Sequence, residues 1–189
     1  GLVMLVAVRG GSGLCVVIVR WVKVKIILVY FGLGSNIDRE NNIKAGLDAL
    51  AREFGLLTLS PVYESESVGF DGDAFYNLVV AIESSLSVGE LNVIMKRIED
   101  ANGRSRQGPR FSARTLDIDI LLVGDLCGEF DGVQLPRDEI EKNAFVLLPL
   151  VDIAAEEIHP QLAISYGDVW KAYKKEQKLW QVAFEWVAS

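Results

Sequence analysis

An α+β sandwich, a mainly antiparallel sheet with helices packed on it, is the fold this sequence predicts, and three observations carry the prediction. Short apolar runs fit for strands alternate with longer stretches whose apolar residues recur at helical spacing. Their order, strand, helix, strand, strand, helix, strand, is that of a ferredoxin-like sandwich with its helices on one face of the sheet. The chain has 189 residues, 50% of them apolar, enough to close one core without disulfides.

The first strand is the run "KIILVYFGL", residues 25–33, too continuously apolar to keep a wet face. It is expected to end at "GSN", where the glycines of "GLGSN" read as a turn after a strand rather than a dinucleotide motif, since the third glycine is missing. Residues 38–54 place Ile43, Leu47, Leu50, Ala51 and Phe54 on one helical stripe, with Asp38 as the expected cap. Two strands follow, "LLTLSPVYES" from Leu56 and "FYNLVVAIES" from Phe75, joined by an acidic loop long for a hairpin and therefore a functional candidate. A second helix opens at Ser87 with Glu90 three residues on, a capping-box pattern, carries Leu91, Ile94, Met95 and Ile98, and stops near Asn102-Gly103. The loop "GRSRQGPRFSA" leads into the strand "RTLDIDILLVG", then Gly124-Asp125 turns into a small hairpin, "LCGEFDGVQL". "NAFVLLPLVDIA" and "DVWKAYKKEQK" read as helices and "LWQVAFEW" as a last strand, with Trp170, Trp180 and Trp186 as packing anchors.

Charge and composition exclude several classes of function. A net charge of −7 argues against a surface that coats nucleic acid, while a local arginine cluster still suits a small anion. Cys15 and Cys127 share no metal spacing with each other or with His159, so they read as buried or semi-buried thiols in a reducing compartment. His159, ahead of Pro160, reads as a surface or turn residue. Arg9, Arg20, Lys23 and Lys25 break the apolar N-terminal segment, whose longest uncharged run, residues 10–19, is half of what a spanning helix needs. That segment also lacks the basic start and cleavage site of a signal peptide. The protein is therefore expected to be cytoplasmic, without membrane or nucleic-acid partners, and monomeric. Residues 1–23 are expected to be an N-terminal extension or an additional strand, and residues 24–189 a single domain.

The chemistry concentrates in "RFSARTLDIDILLV". In a strand, Asp117 and Asp119 project to one side while Leu116, Ile118 and Ile120 project to the other. Two carboxylates so close repel each other unless something positive, a divalent cation or an arginine, sits with them. Carboxylates plus substrate phosphates are the usual way of holding Mg²⁺. Arg104, Arg106, Arg110 and Arg114 lie in the loop entering the same strand, and guanidinium groups there are suited to clamp a polyphosphate.

"GRSRQGPRFSARTLDIDILLVG" resembles the signature of the hydroxymethyldihydropterin pyrophosphokinases of folate biosynthesis. "VYFGLGSN", "VYESESVG", "FYNLVVAIE", "IMKRIE" and "NAFVLLPLVDIA" follow in that family's order, so that the likeness runs from Val24 to Trp186. The resemblance implies transfer of pyrophosphate from ATP to the hydroxymethyl group of a reduced pterin, with release of AMP. It implies two Mg²⁺ ions on Asp117 and Asp119, and Arg104 and Arg114 steadying the phosphates. Arg106, Arg110, Glu99, Ile120 and Arg137 match positions at ATP. Asn77 would read the pterin edge, Phe145 and Phe111 would stack on its faces, and Ser65, Val68 and Phe75 would complete the pocket.

The departures are specific. Phe111-Ser112-Ala113 replaces an aromatic-Gly-Pro stretch, Arg137 stands for a histidine, Asn143 for an arginine, and Glu66-Ser67 lie where proline is common. They bear on nucleotide affinity and rate more than on reaction type, and they leave a catalytically degenerate pterin- or nucleotide-binding relative as the alternative.

Overall fold

The computed structural model of the chain describes the backbone of residues 3–10 and 13–20, and residues 25–66, 73–103 and 115–188 in full. Strands β1 (Val3–Gly10) and β2 (Gly13–Arg20) pair antiparallel as a two-stranded sheet of their own. The segment expected to be an extension or an additional strand thus contributes two paired strands.

The main sheet is built around β3 (Ile27–Ser35), which pairs antiparallel with β6 (Phe75–Ser84) on one side and β7 (Asp117–Val123) on the other. Strand β5 (Val62–Ser65) extends the sheet beyond β6, β10 (Leu179–Val182) closes that edge, and the short β4 (Thr58–Leu59) also pairs with β6. Strands β8 (Gly128–Phe130) and β9 (Val133–Leu135) form the expected small hairpin. The stretch read from Leu56 as one strand is therefore two, divided at Ser60-Pro61. Pro61 has no N–H to give to a ladder.

Helices cover both faces of the sheet, not one as expected. Val29, Phe31, Leu33, Leu78, Val80 and Ile82 project to one side and pack against α1 (Arg39–Phe54) and α2 (Val88–Ala101). The alternate residues Tyr30, Val79 and Ala81 meet α4 (Ala144–Ala154) and α5 (Tyr166–Ala172), reached through the single turn α3 (Glu139–Lys142). The continuously apolar first strand required this, because each of its faces has a core to fill. On the helices, Ile43, Leu47, Leu50 and Leu91 are fully buried, and each such side chain stabilises the fold by about 1.5–3 kcal/mol relative to exposure.

Local signals decide the helix ends. Ser87 Oγ accepts from the Glu90 N–H at 3.3 Å and Glu90 Oε2 accepts from the Ser87 N–H at 2.8 Å, the reciprocal pair the sequence predicts. Helix α2 ends at Asn102, followed by Gly103 at φ 80°. Asp38 does not cap α1 as expected: it sits in the left-handed region at φ 39° with no side-chain cap bond, and its carboxylate takes the Asn41 amide instead. The expected helix "DVWKAYKKEQK" stops at Ala172, before a lysine-rich stretch with little to bury.

A register shift in β7 shapes the site. Tyr30 pairs with Leu122 and Phe31 with Ile120, leaving Leu121 as the extra residue. Both Leu121 and Leu122 consequently enter the α4 core, as a bulge allows.

Candidate active site

The strand register lays out the site row by row. Gly34 of β3 has Asn77 opposite it on β6 and Asp117 opposite it on β7, and Gly32 has Val79 and Asp119. Asn77, Gly34 and Asp117 thus cross the sheet in one line, with Asp119 one step along on the same face. The two glycines leave the middle of that face bare, and a cavity of about 300 Å³ opens over them. A Cβ added to Gly34 would lie 3.7 Å from Asn77 Oδ1 and 3.9 Å from Phe75 Cδ1, and one on Gly32 would lie 3.4 Å from Leu121. The backbone tolerates such atoms, but the cavity floor would rise. Gly34 therefore belongs to the strand, as Gly32 is expected to, and not to a turn beyond it, which corrects the expectation that the strand ends at "GSN". Glycine at alternate strand positions is the signal in the sequence for this floor.

One wall combines a buried amide with aromatic and apolar side chains. Asn77, buried, donates through Nδ2 to Ser65 Oγ at 3.0 Å. That bond fixes the amide beside the cavity. Ser65, Phe75 and Asn77 line one side, and Asn143, Phe145 and Val146, at the start of the α4 layer, line another. Pro149 inside α4 cannot donate to the Phe145 carbonyl, as an ordinary residue there would.

The far wall is charged. Asp117, Asp119, Arg137 and Glu139 line it. Arg137 Nη2 donates to Asp119 Oδ1 at 2.8 Å, and Arg137 Nε lies 3.0 Å from Glu139 Oε2. The backbone N–H of Arg137 donates to the Leu121 carbonyl at 3.0 Å, which docks this segment along β7. Burial, and then a hydrogen bond with Asp138, push the Glu139 carboxyl above the usual range. The same bond to Glu139, helped by Lys142, holds Asp138 low.

The ends of the strands are tied around the mouth. Ser35, fully buried, donates its hydroxyl to the carbonyl of Thr115, just before β7, and Asn36 Nδ2 reaches the carbonyl of Asp73, just before β6, at 3.4 Å. From α1, Arg39 donates to the Ala74 carbonyl at 2.8 Å and to Glu64 at 3.0 Å, with its guanidinium over the Tyr76 ring. "GSN" is thus the joint that holds three strand ends together, a role its composition alone does not reveal.

The structure therefore brings Asp117, Asp119, Arg137, Asn77, Ser65, Phe75 and Phe145 to one cavity. Glu99 and Ile120, which the resemblance assigns to the nucleotide, project from the other side of the sheet. Glu99 is buried, and its Oε1 accepts from the Ile118 N–H at 2.9 Å, so its carboxylate braces the backbone between the two aspartates. Ile120 packs in the α1–α2 core. Arg104, Arg106, Arg110, Phe111, Arg114 and Val68 lie outside the described residues.

Two other expectations change. His159 is 1% exposed, not a surface residue. Its Nδ1 accepts from the N–H groups of Gln161 and Leu162, closing a turn, and its ring rests against Tyr166 at 5.3 Å. Cys127 is exposed, not buried. Among the tryptophans, Trp186 donates to Asp48 at 2.8 Å, whereas Trp180 is 45% exposed.

The sequence matches the family model of the 7,8-dihydro-6-hydroxymethylpterin-pyrophosphokinases (HPPK) over residues 30–155. The chain belongs to the HPPK family. A 2-amino-4-hydroxy-6-hydroxymethyldihydropteridine pyrophosphokinase of Pseudomonas aeruginosa is 38% identical over 132 residues, 68% of this chain and 81% of that protein. The protein of the same name in Aquifex aeolicus is 34% identical over 153 residues, 80% of this chain and 92% of its own. The Folate synthesis bifunctional protein of Arabidopsis thaliana is 35% identical over 160 residues, although the match covers only 33% of it. Among solved structures, Plasmodium falciparum HPPK-DHPS, crystallised with pteroate, shares the fold with a TM-score of 0.63 at 14% identity. That match covers 79% of this chain and 42% of the Plasmodium chain, so the present chain spans less than half of that protein.

The cavity of this HPPK-family chain has the donor set for a hard cation. Asp117 and Asp119 present carboxylates from one strand face, and the guanidinium already resting on Asp119 shows that this position attracts positive charge. Among the described residues no group of three or more His, Cys, Asp or Glu is arranged to hold a metal by itself. Two carboxylates supplemented by substrate oxygens fit Mg²⁺, which seldom has an all-protein cage. Also among the described residues, no helix is long and apolar enough to cross a membrane.

Proposed function

We propose that this chain transfers the terminal pyrophosphoryl group of ATP to the hydroxymethyl group of 6-hydroxymethyl-7,8-dihydropterin, releasing AMP, in a Mg²⁺-dependent reaction. The observation that supports it is the row Asn77, Gly34, Asp117, with Asp119 one step along: an amide reader, a bare floor and a carboxylate pair on one face of the sheet. Family membership and the names of the relatives point the same way.

The ring of the pterin lies over the glycine floor, with its amide edge toward Asn77 and its faces against apolar and aromatic walls that include Phe145. Asn77 suits this role because its carboxamide carries both donor and acceptor, and its bond to Ser65 prevents rotation. The exocyclic hydroxymethyl group then points along the row toward Asp117 and Asp119. Its oxygen attacks the β-phosphorus of ATP, the bond from that phosphorus to the α,β-bridging oxygen breaks, AMP leaves with the bridging oxygen, and the hydroxyl proton is lost.

Two Mg²⁺ ions held by Asp117 and Asp119 would supply the charge that offsets the triphosphate during transfer. Arg104 and Arg114 steady the phosphates, and Arg106, Arg110 and Arg137 bind the nucleotide. The protein contributes positioning and electrostatics, without a covalent nucleophile.

Identification of products tests the reading. Protein, ATP, Mg²⁺ and the hydroxymethyl pterin should give AMP and the pterin diphosphate in equal amounts. ADP, or tight ATP binding with no turnover, would contradict it, and the second result would show a degenerate relative.

A further inference from the structure

We infer that Arg137 is a resident counter-cation for Asp119, holding the carboxylate that the metal needs until nucleotide draws it away. The inference rests on the proposed metal role of Asp117 and Asp119, and adds a competitor for it.

Three observations carry it. Arg137 Nη2 donates to Asp119 Oδ1 at 2.8 Å, on the carboxylate that faces the cavity beside Asp117. A guanidinium there and a divalent cation on the same oxygen exclude each other by charge and by space. Second, the grip is incomplete. Arg137 Nε and Glu139 Oε2 are 3.0 Å apart, yet both are buried atoms without a hydrogen bond, so the guanidinium makes one good bond to Asp119 and a misaligned contact with Glu139 instead of a two-pronged fork. An arginine held this way gives up one aligned bond when it turns to a stronger acceptor such as a phosphate. Third, the anchor of Arg137 is its backbone, whose N–H donates to the Leu121 carbonyl. The side chain can leave Asp119 without moving the strand.

The same cation thus serves two states. Without nucleotide, Arg137 neutralises Asp119 and weakens metal binding. When phosphates enter, the guanidinium turns to them and Asp119 is released to the metal, so that metal and nucleotide bind with positive coupling.

The test is binding of Mn²⁺ alone to the nucleotide-free protein, read from the electron paramagnetic resonance signal of the free ion. Arg137→Gln should bind Mn²⁺ about tenfold more tightly than the wild type, and Arg137→Lys, which keeps a cation within reach of Asp119, should return affinity toward the wild-type value. Glu139→Gln, which removes the second carboxylate from Arg137, should bind Mn²⁺ no more tightly than the wild type. Equal or weaker binding by a folded Arg137→Gln protein, or tighter binding by Glu139→Gln, would overturn the inference. Asp119→Asn separates the two levels: it should lose Mn²⁺ binding, and unchanged binding would overturn the metal reading itself.

Discussion

Asp117 and Asp119 are held on one strand face by β pairing and braced from behind by Glu99, and Asp119 is met by the Arg137 guanidinium. Their role is charge at a fixed place, so replacing either by asparagine preserves shape and removes the charge. We expect Asp117→Asn and Asp119→Asn each to lower kcat by about 10²–10³ or more, the scale of losing a preorganised electrostatic contact, with unchanged circular dichroism. Steady-state AMP release measures it. Gly34 invites a different test. Gly34→Ala places a methyl group at van der Waals distance from Asn77 and Phe75, so stability should hold while KM for the pterin rises about tenfold, since small groups in a binding pocket shift recognition on that scale.

Single residues are also where the sequence is most and least legible. The aspartates can be read because their spacing places two like charges on one strand face, an arrangement that demands a partner. Arg137 is visible as a departure from the family pattern, but its contact with Asp119 depends on the segment between β9 and α3 folding back along β7, which no local pattern encodes. Gly34 reads as the start of a turn because glycine near the end of an apolar run signals one. The strand pairing, Gly34 with Asn77 and Asp117 and Gly32 with Val79 and Asp119, shows that the two glycines are floor.

At the scale of elements, β6 and α2 follow directly from their residues. Ten consecutive residues from Phe75 form the strand expected there, and Ser87 and Glu90 close the capping box. Ser87→Ala should lower Tm by about 2–4 °C, from the usual loss of a helix cap in a chain of this size, with activity at 25 °C unchanged. Differential scanning calorimetry provides the check. The start of α1 is not legible, because Asp38 adopts a left-handed backbone and its carboxylate is taken by Asn41. Nor is the bulge at Leu121, which arises when the two sides of β7 must satisfy different helix layers.

For the whole molecule, the antiparallel sheet and its order of elements are readable, and the lack of a wet face on the first strand signals cover on both sides, whereas the segments that form the second layer are not readable. "AFVLLPLVDIA" is apolar nearly all round, so its sequence gives no preferred face, and its position over β6 is a tertiary outcome. The layer has a consequence at high pH. Tyr63 donates to Asp152 of α4 at 2.7 Å, and burial followed by this bond pushes its phenol from 10.0 up to about 12. Burial, with Glu157 nearby, raises Tyr30 to about 12 as well. In the unfolded chain both phenols ionise near 10.0, while the folded protein keeps them neutral to higher pH. Their contribution to stability is therefore complete below about pH 10 and is lost as pH rises toward about 12. Urea midpoints should fall across that window, and Tyr63→Phe should make the fall shallower; a flat profile for the wild type would contradict this assignment.

The most direct test of the proposed chemistry is a crystal structure with the hydroxymethyl pterin, a non-hydrolysable ATP analogue and Mg²⁺. The pterin's amide edge should lie at Asn77 and its ring over Gly32 and Gly34, with metal density shared by Asp117 and Asp119 and the phosphates alongside. Metal absent from both carboxylates, or a pterin bound away from the glycine floor, would contradict it.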